Sequence, residues 1–402
     1  MNPFGILYRY ELKKLLHKKI LWVTLFVCLM GISFSLVLPL IGYYSVDGEI
    51  IDSNYNLYLT DMAYRRALNS TPIDQKLLEE TIEAYSHVPM DVSPYSQTEE
   101  YQVYARPYSE IFNLIRSWTQ LDAISAVEWS PDEAALYDAM AQKMQLSWSY
   151  NHLTDAEITY WQNKLTNLQT PFVYQYHDGY MNILEVFLTV GFMMILFISI
   201  ALSTTFPDEH TRRTDQLILS TAKGRGQIYW IKLSAGLTVG LFGALLISTA
   251  TWILAFSIYG AEGFDTVIQL FYTSYAGNLT IGQACLIAYS CLLITALLIS
   301  ILAMFLSELF RSGIASLSII TGFLLASSLI QMPAEYRVLG QLWDYFPTSF
   351  LAMWNVFDCR LILLFGHCFT SYQIVPLVYA AAAILLANAG KHIYLRYQVS
   401  GR

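Results

Sequence analysis

The chain has residue types that occur in phosphate and metal sites, but their spacing does not fit the motifs that use them. Gly224, Arg225 and Gly226 are followed by Lys232, and neither the spacing nor the residue types are those of a phosphate-binding loop. The zinc-protease, thiol-redox and serine-hydrolase signatures are missing as well. The seven histidines are dispersed, with no second ligand at a spacing typical of metal sites. The sequence predicts a chain that is not an enzyme and holds no cofactor or metal.

Ionisable residues within apolar segments mark the path of an ion or a proton in many membrane proteins. Here they lie only at the edges of such segments: Glu185 at one edge, and Glu308 with Arg311 at another. This pattern argues against a proton-driven pump and against a channel with a charged pore. It favours a hydrophobic or amphipathic cargo, moved with energy from elsewhere.

Six long uncharged segments make up much of the chain, and they determine where the ionisable residues lie. A membrane-spanning helix needs about 20 predominantly apolar residues, and only 13% of this chain is charged, against about 25% in soluble domains. The bilayer requires every backbone polar group to be satisfied, which leaves helices as the structure of these segments. We therefore predict an all-α polytopic membrane protein with six transmembrane helices, at residues 20–44, 186–207, 233–261, 279–307, 312–334 and 361–390.

Charge asymmetry gives the orientation of the spans. Lysine and arginine cluster in residues 1–19, 206–232 and the C-terminal tail, and such clusters stay on the cytoplasmic side. Residues 45–180 carry 20 acidic against 7 basic side chains, a balance of −13. We therefore expect both termini in the cytoplasm and residues 45–180 outside it. The net charge of −8 argues against nucleic acid as a partner.

The segment 45–180 is long enough to form a small domain of its own. Its helical signals include Thr154 and Glu157 at the spacing of a capping box, and Ser130 to Glu133 has the same pattern. We expect a helical extracytoplasmic domain that serves either as a gate over the cargo or as a spacer against a partner. Its acidity either attracts cationic peptides or simply keeps an exposed domain soluble.

Two cytoplasmic segments have features beyond their charge. Residues 1–19 have an apolar stripe at helical spacing, and we predict an amphipathic helix along the inner leaflet. The residues of this interface helix that we single out are Arg9, Glu11, Lys13 and Lys14. Residues 206–232 form the largest cytoplasmic loop, and a short helix held there between two spans would let a cytosolic protein act on them. The alternatives are a basic flank that only fixes orientation and a solvated loop.

The segment 206–232 resembles the corresponding junction of permeases of type-2 ATP-binding cassette exporters. Residues at matching places are Glu209, Thr214, Leu217, Leu219, Ser220, Thr221, Arg225, Ile228 and Lys232. Two residues depart from the family pattern, since Arg213 replaces a glycine and Ala222 a proline. The segment from Tyr8 to Leu15 is similar to the family's N-terminal interface helix, and the six-span layout matches as well.

This resemblance implies the partners and the coupling site. The chain would pair with a second permease subunit, identical or homologous, and with two cytosolic ATPase subunits that bind ATP and Mg. The loop would be a coupling helix seated in an ATPase cleft, and ATP binding would shift the spans between access states. The coupling residues would be Glu209, Arg212, Arg213, Thr214, Leu217, Leu219, Ser220, Thr221 and Arg225.

The resemblance also implies a cargo path and a re-entrant region. Residues 345–370 would be short re-entrant helices before the last span, within a membrane part that covers 181–402. The cargo would pass along the second and fifth spans, where soft and aromatic side chains adapt to varied apolar molecules. Candidates on this path are Phe187, Phe192, Met193, Met194, Phe197, Phe323 and Leu324.

The sequence thus predicts the permease subunit of an ATP-driven exporter in a bacterial plasma membrane, where it moves a peptide, an antibiotic or a lipid-like cargo. A sensor or scaffold whose outer domain binds a ligand without transport is the main alternative. A membrane-embedded enzyme is a third, against which the lack of clustered catalytic residues argues. The sequence leaves open whether Cys359 and Cys368 form a disulfide.

Overall fold

The computed structural model describes residues 3–46, 49–208, 224–333 and 335–396, and most of them are helical. The chain divides into two compact units. We call Met1–Phe34, Leu184–Leu254 and Ile287–Arg402 the span unit, and Ser35–Ile183 with Ala255–Leu286 the acidic unit. Each unit is described by itself.

The helices, in chain order, fall into a group before residue 200 and a group of mostly longer helices after it. The first group is α1 (Pro3–Leu16), α2 (Lys19–Val37), α3 (Asn54–Ala67), α4 (Gln75–Ser86), α5 (Ser109–Thr119), α6 (Ala123–Glu128), α7 (Glu133–Tyr150), α8 (Asp155–Leu165), α9 (Asp178–Glu185) and α10 (Phe187–Leu202). The second is α11 (Gly224–Tyr259), α12 (Ile281–Phe310), α13 (Gly313–Leu329), α14 (Arg337–Asp344), α15 (Met353–Val356) and α16 (Ser371–Arg396).

The described strands form three short antiparallel pairs. These are β1 (Tyr43–Val46) with β2 (Glu49–Ser53), β3 (Thr71–Pro72) with β4 (Val173–Tyr174), and β5 (Ile362–Leu364) with β6 (His367–Phe369). The turn of the last pair places Phe365 and Gly366 at positive φ, which glycine adopts at little steric cost. No larger sheet occurs in the described ranges, so the chain is a mostly helical protein with little strand.

Four described helices are long and apolar enough to cross a membrane: Lys19–Leu40, Gly226–Tyr259, Ile281–Phe310 and Ser371–Arg396. A fifth span results if α9 and α10, which meet at a bend of 47°, are counted together. The helix α13 is apolar but has only 17 residues, about 26 Å, which is less than the roughly 30 Å of a bilayer core. These helices are those of a multi-pass membrane protein, and the prediction of six spans is not confirmed.

Among the predicted spans whose limits differ in the structure, the first and the last show the physical reason. The helix of the first one ends at Val37 and is followed by a 3₁₀ turn, because Pro39 has no backbone N–H to continue the helical hydrogen bonds. The last span begins at Ser371 rather than at 361, since residues 362–369 pair as a hairpin. Hydropathy alone did not separate this apolar hairpin from the helix that follows it.

The core of the acidic unit lies between amphipathic helices, mainly α5 and α7, which pack against each other. Leu136, Met140 and Met144 of α7 are buried at helical spacing, as are Ile111, Ile115 and Trp118 of α5. The capping box of α8 is confirmed, with the Glu157 carboxylate accepting from Thr154 N at 2.7 Å. The expected box at Ser130 is wrong, because Asp132 caps α7 through Ala135 N instead.

Close helix packing in the span unit depends on glycines. Gly236 and Gly240 of α11 lie against Met304 and Ser300 of α12, and Gly243 lies against the ring of Phe197 in α10. Small residues four apart let two helix backbones approach closely, which compensates for the weak hydrophobic driving force between helices in lipid. The same unit contains a direct packing contact between α10 and α13.

Candidate functional site

The inner cluster consists of Glu11, Lys18, Thr204, Asp208 and Lys232, of which Asp208 directly precedes the segment 209–223 and Lys232 follows it by nine residues, inside α11. At the first end, Lys18 Nζ contacts Asp208 Oδ2 at 2.7 Å and donates to Thr204 Oγ1 at 2.6 Å. Lys18 lies in the tight turn between α1 and α2, and Asp208 lies six residues beyond the end of α10. This ion pair therefore attaches the residues that follow α10 to the turn between α1 and α2.

At the second end, the Lys232 side chain in α11 is 0% exposed. Its ammonium lies 4.0 Å from the Glu11 carboxylate of α1 and 5.5 Å from the centre of the Phe206 ring. A buried ammonium requires such partners, because an isolated charge loses its hydration without compensation. The residue that precedes 209–223 and the helix α11 that follows it are thus both held by the N-terminal part of the chain.

The four predicted interface residues have different surroundings. Glu11 is the one that contacts α11, and it also lies 3.8 Å from Lys14. Arg9 and Lys13 are exposed. The helix is further fixed by Tyr8, whose hydroxyl is 2.7 Å from Thr238 Oγ1 of α11.

The predicted coupling residues fall almost entirely outside the described residues. These are Glu209, Arg212, Arg213, Thr214, Leu217, Leu219, Ser220 and Thr221. Arg225 belongs to the first turn of α11, which begins at Gly224, nine residues before the predicted start of that span. Their roles stay predictions.

The predicted cargo residues are mostly buried within the span unit. Phe187, Met194 and Phe197 of α10 and Leu324 of α13 are buried, whereas Phe192 and Met193 are half-buried. Met193 packs near Gly31 of α2. Phe323 differs, because it is 38% exposed and lines an open cavity. The structure thus brings α10 and α13 together, and it places one of the seven candidates at a surface that a ligand can reach.

That cavity, here called the apolar groove, has a volume of about 1030 Å³. Its floor is α12, its two walls are α13 and α16, and its mouth is formed by α14, β5 and the turn after α14. Carbon atoms make up nearly all of its lining. The sequence did not predict this groove, because its walls come from segments far apart in the chain.

An ion-pair cluster lies beside the mouth of the groove. Arg360 Nη2 contacts Asp344 Oδ2 and Asp358 Oδ2, each at 2.7 Å, and Arg360 and Asp358 are largely buried. Tyr345, whose hydroxyl is 3.4 Å from Asp358 Oδ2, completes it. These contacts hold α14 to the segment before β5. The resemblance implied short re-entrant helices in 345–370, where the structure has the short helix α15 and the β5–β6 hairpin, and the partners of Arg360 were not found from spacing.

A second buried cluster, the Arg65 cluster, lies in the acidic unit. Arg65 contacts Asp178 at 2.7 Å and Glu110 at 3.3 Å, while the hydroxyl groups of Tyr58 and Tyr176 are 2.7 Å apart beside Asp178. Burial by itself lowers the pKa of Arg65, but the carboxylates of Glu110 and Asp178 raise it above its ordinary value. Burial, together with the Asp178 charge, raises the pKa of Tyr58.

The Arg65 cluster joins separate parts of the acidic unit. The Arg65 guanidinium contacts the carboxylates of both Glu110 and Asp178. The Tyr176 hydroxyl also donates to Tyr259 O at 2.6 Å. Among the described residues no group of three or more His, Cys, Asp and Glu side chains is arranged to hold a metal ion. Cys359 and Cys368, the pair left open above, are both half-buried in the residues around β5 and β6.

Comparison of the chain with protein-family models, with curated proteins and with solved structures finds no match. The function is therefore inferred from the chain's own residues and geometry.

Proposed function

We propose that this chain is the membrane permease subunit of an ATP-driven exporter, energised by separate cytosolic ATPase subunits. The observation that carries the proposal is the inner cluster. Lys18 with Asp208 and Glu11 with Lys232 attach the residue before the segment 209–223 and the helix α11 after it to the N-terminal part of the chain. A cytosolic protein that moves this segment would move α1, α10 and α11 together.

Two further observations support the proposal. The middle parts of the candidate spans carry no acidic or basic side chains, so energy from an ion gradient has no obvious entry. The helices α10 and α13, which the resemblance assigns to the cargo path, pack against each other. The second permease subunit, the ATP and Mg on the ATPases, and the bacterial plasma membrane belong to this proposal as well.

The test is purification of the tagged full chain from its native membranes, followed by assays of bound ATPase activity and of transport in reconstituted vesicles. Glu209→Arg should remove the ATPase from the complex, since it reverses a charge in the proposed docking segment. Glu83→Arg, at an exposed position of α4, is the matched control and should leave the complex intact.

The inner cluster makes a separate prediction about coupling. Lys18→Gln should keep the ATPase bound but lower the transport per ATP hydrolysed, because it detaches the segment from α2. Full transport by the chain with no ATPase bound would overturn the proposal. Ligand binding by the acidic unit without any transport would favour the alternative of a sensor or scaffold.

A further inference from the structure

The apolar groove opens on a surface that is itself apolar and exposed. Beside it, Leu377 and Leu385 of α16 and Leu325 and Leu329 of α13 project outward, and Leu329 is 81% exposed. In a multi-pass membrane protein such helix surfaces contact lipid chains. The groove is therefore continuous with the lipid-facing surface of α13 and α16.

We propose that the apolar groove is a binding site for one acyl chain of a bilayer phospholipid, with the headgroup at the α14 end. The proposal concerns the span unit alone and holds whether or not the chain is an exporter subunit.

The length of the groove fits this ligand. Its α16 wall runs from Ile374 to Leu386, which is about 18 Å at a rise of 1.5 Å per residue. One leaflet contributes about half of a hydrocarbon core that is roughly 30 Å thick. The volume of about 1030 Å³ is at the upper end of the range of roughly 300–1,000 Å³ typical of sites for a single ligand.

Polar groups occur at one end only. Gln341, Tyr345 and Thr348 line the mouth, whereas Leu306 and Leu386 line the opposite end. Tyr345 accepts from Gln341 at 3.0 Å, and Thr348 is 2.6 Å from Ser327 Oγ, so these groups have protein partners. The polar end also adjoins Arg360 and Asp344, which matches a molecule with one polar end and one long apolar part.

The lining of the groove is unfavourable for a peptide and for water. A peptide would place backbone N–H and C=O groups against carbon, and each unsatisfied group costs several kcal/mol in an apolar medium. Water would find too few polar partners along the walls. An acyl chain has no polar groups to satisfy, and it contacts the leucine and isoleucine side chains over its whole length.

The experiment uses the full chain in vesicles of dioleoylphosphatidylcholine that contain a small fraction of the same lipid with a photoreactive diazirine in one acyl chain. After illumination, mass spectrometry locates the labelled peptides. Ala382→Trp fills the groove, because Ala382 lines it. Ala381→Trp is the control, since Ala381 is the neighbouring residue on the exposed side of α16.

We expect labelling of the peptides containing Phe323 and Leu302 in the wild-type chain and in Ala381→Trp. In Ala382→Trp this labelling should fall at least about tenfold, the change that corresponds to 1.4 kcal/mol. Equal labelling of the groove peptides in both variants would overturn the proposal. Absence of this labelling in the wild-type chain would overturn the proposal as well, because the groove would then hold something other than a phospholipid chain.

Folding is checked by comparing the melting temperatures of the two variants. If Ala382→Trp fails to fold, Leu302→Trp fills the groove from its α12 floor and must give the same loss of labelling. Neither readout involves an ATPase, so failure here is distinguishable from failure of the exporter proposal.

Discussion

Different interactions stabilise the acidic unit and the span unit, each within itself. In the acidic unit, ion pairs with buried or half-buried side chains join distant parts of the chain, as in the Arg65 cluster and in the 2.7 Å ion pair of Arg106 with Asp61. In the span unit, glycines of α11 allow close packing, and the ion pairs that we describe lie near helix ends. Charged clusters therefore contribute within the first unit, whereas the second relies on close packing, which is the main contribution available to helices in lipid.

The largest effect should follow from breaking the Arg65 cluster. Arg65→Met leaves Asp178, whose side chain is only 4% exposed, without its cation. Removing one partner of a buried ion pair costs about 3–5 kcal/mol, and we expect the free energy of unfolding to fall by that amount. Thermal melting of the purified full chain measures the loss. The double variant Arg65→Met with Asp178→Asn should recover part of it, and an unchanged melting temperature in the single variant would contradict the comparison.

The second largest effect should be a decrease in the stability of the acidic unit at high pH. Burial raises the pKa of Tyr85 and Tyr174 in the folded protein, so the unfolded chain loses these protons first. Their stabilising contribution is complete below the unfolded pKa of about 10 and decreases above it. At pH 11 the two tyrosines together should lower the free energy of unfolding by about 3 kcal/mol.

Far-ultraviolet circular dichroism, recorded with the tyrosinate absorbance between pH 8 and 12, tests this prediction. Ionisation of these tyrosines should coincide with unfolding. Tyr85→Phe should lessen the decrease in stability at high pH, and ionisation of Tyr85 in a chain that stays folded would refute the argument.

Glycine substitutions should have effects of opposite sign within the span unit. A Cβ at Gly243 would overlap the Phe197 ring, so Gly243→Ala should cost about 1–3 kcal/mol. Gly322 of α13 has no atom within 4 Å of the same position. Gly322→Ala should therefore be neutral or stabilise by up to about 1 kcal/mol through helix propensity. The melting temperatures of the two variants in one detergent give the comparison, and a loss of equal size in both would show that packing is not the cause.

The smallest effects should come from the half-buried pair of Lys18 with Asp208 and from the exposed pair of Lys76 with Glu80. Lys18 and Asp208 are 19% and 29% exposed, and Lys18→Met should lower stability by about 1 kcal/mol or less. Lys76→Met removes a pair whose lysine is 82% exposed, and the change should be no more than about 0.5 kcal/mol. A loss in Lys18→Met comparable with that in Arg65→Met would mean that the inner cluster carries much more of the stability than its exposure indicates.

Local signals gave correct predictions where the interaction itself is local. The capping box of Thr154 and Glu157 lies within one helical turn, and the apolar spacing of α7 identified its buried face. At Ser130 the same motif failed, because Asp132 competes for the capping position two residues later. The apolar run from 361 failed for a similar reason, since hydropathy does not distinguish a hairpin from a helix.

The resemblance to exporter permeases contributes partners and roles that neither composition nor the described geometry tests. Glu209 and the residues that follow it lie outside the described residues, so the coupling role depends on the proposed experiments. The geometry does add the flanking contacts of Lys18 and Lys232, which were not among the predicted coupling residues.

The sequence by itself determined that this is a mostly helical chain with several apolar segments of membrane-spanning length. Hydropathy and helical period are sums over neighbouring residues, and so they are readable along the chain. Tertiary structure alone decided which charges meet and where the apolar groove lies. Arg65 and Asp178 are 113 residues apart, and the groove combines α12, α13, α14 and α16. Contacts of this kind depend on how helices pack, which no local pattern encodes.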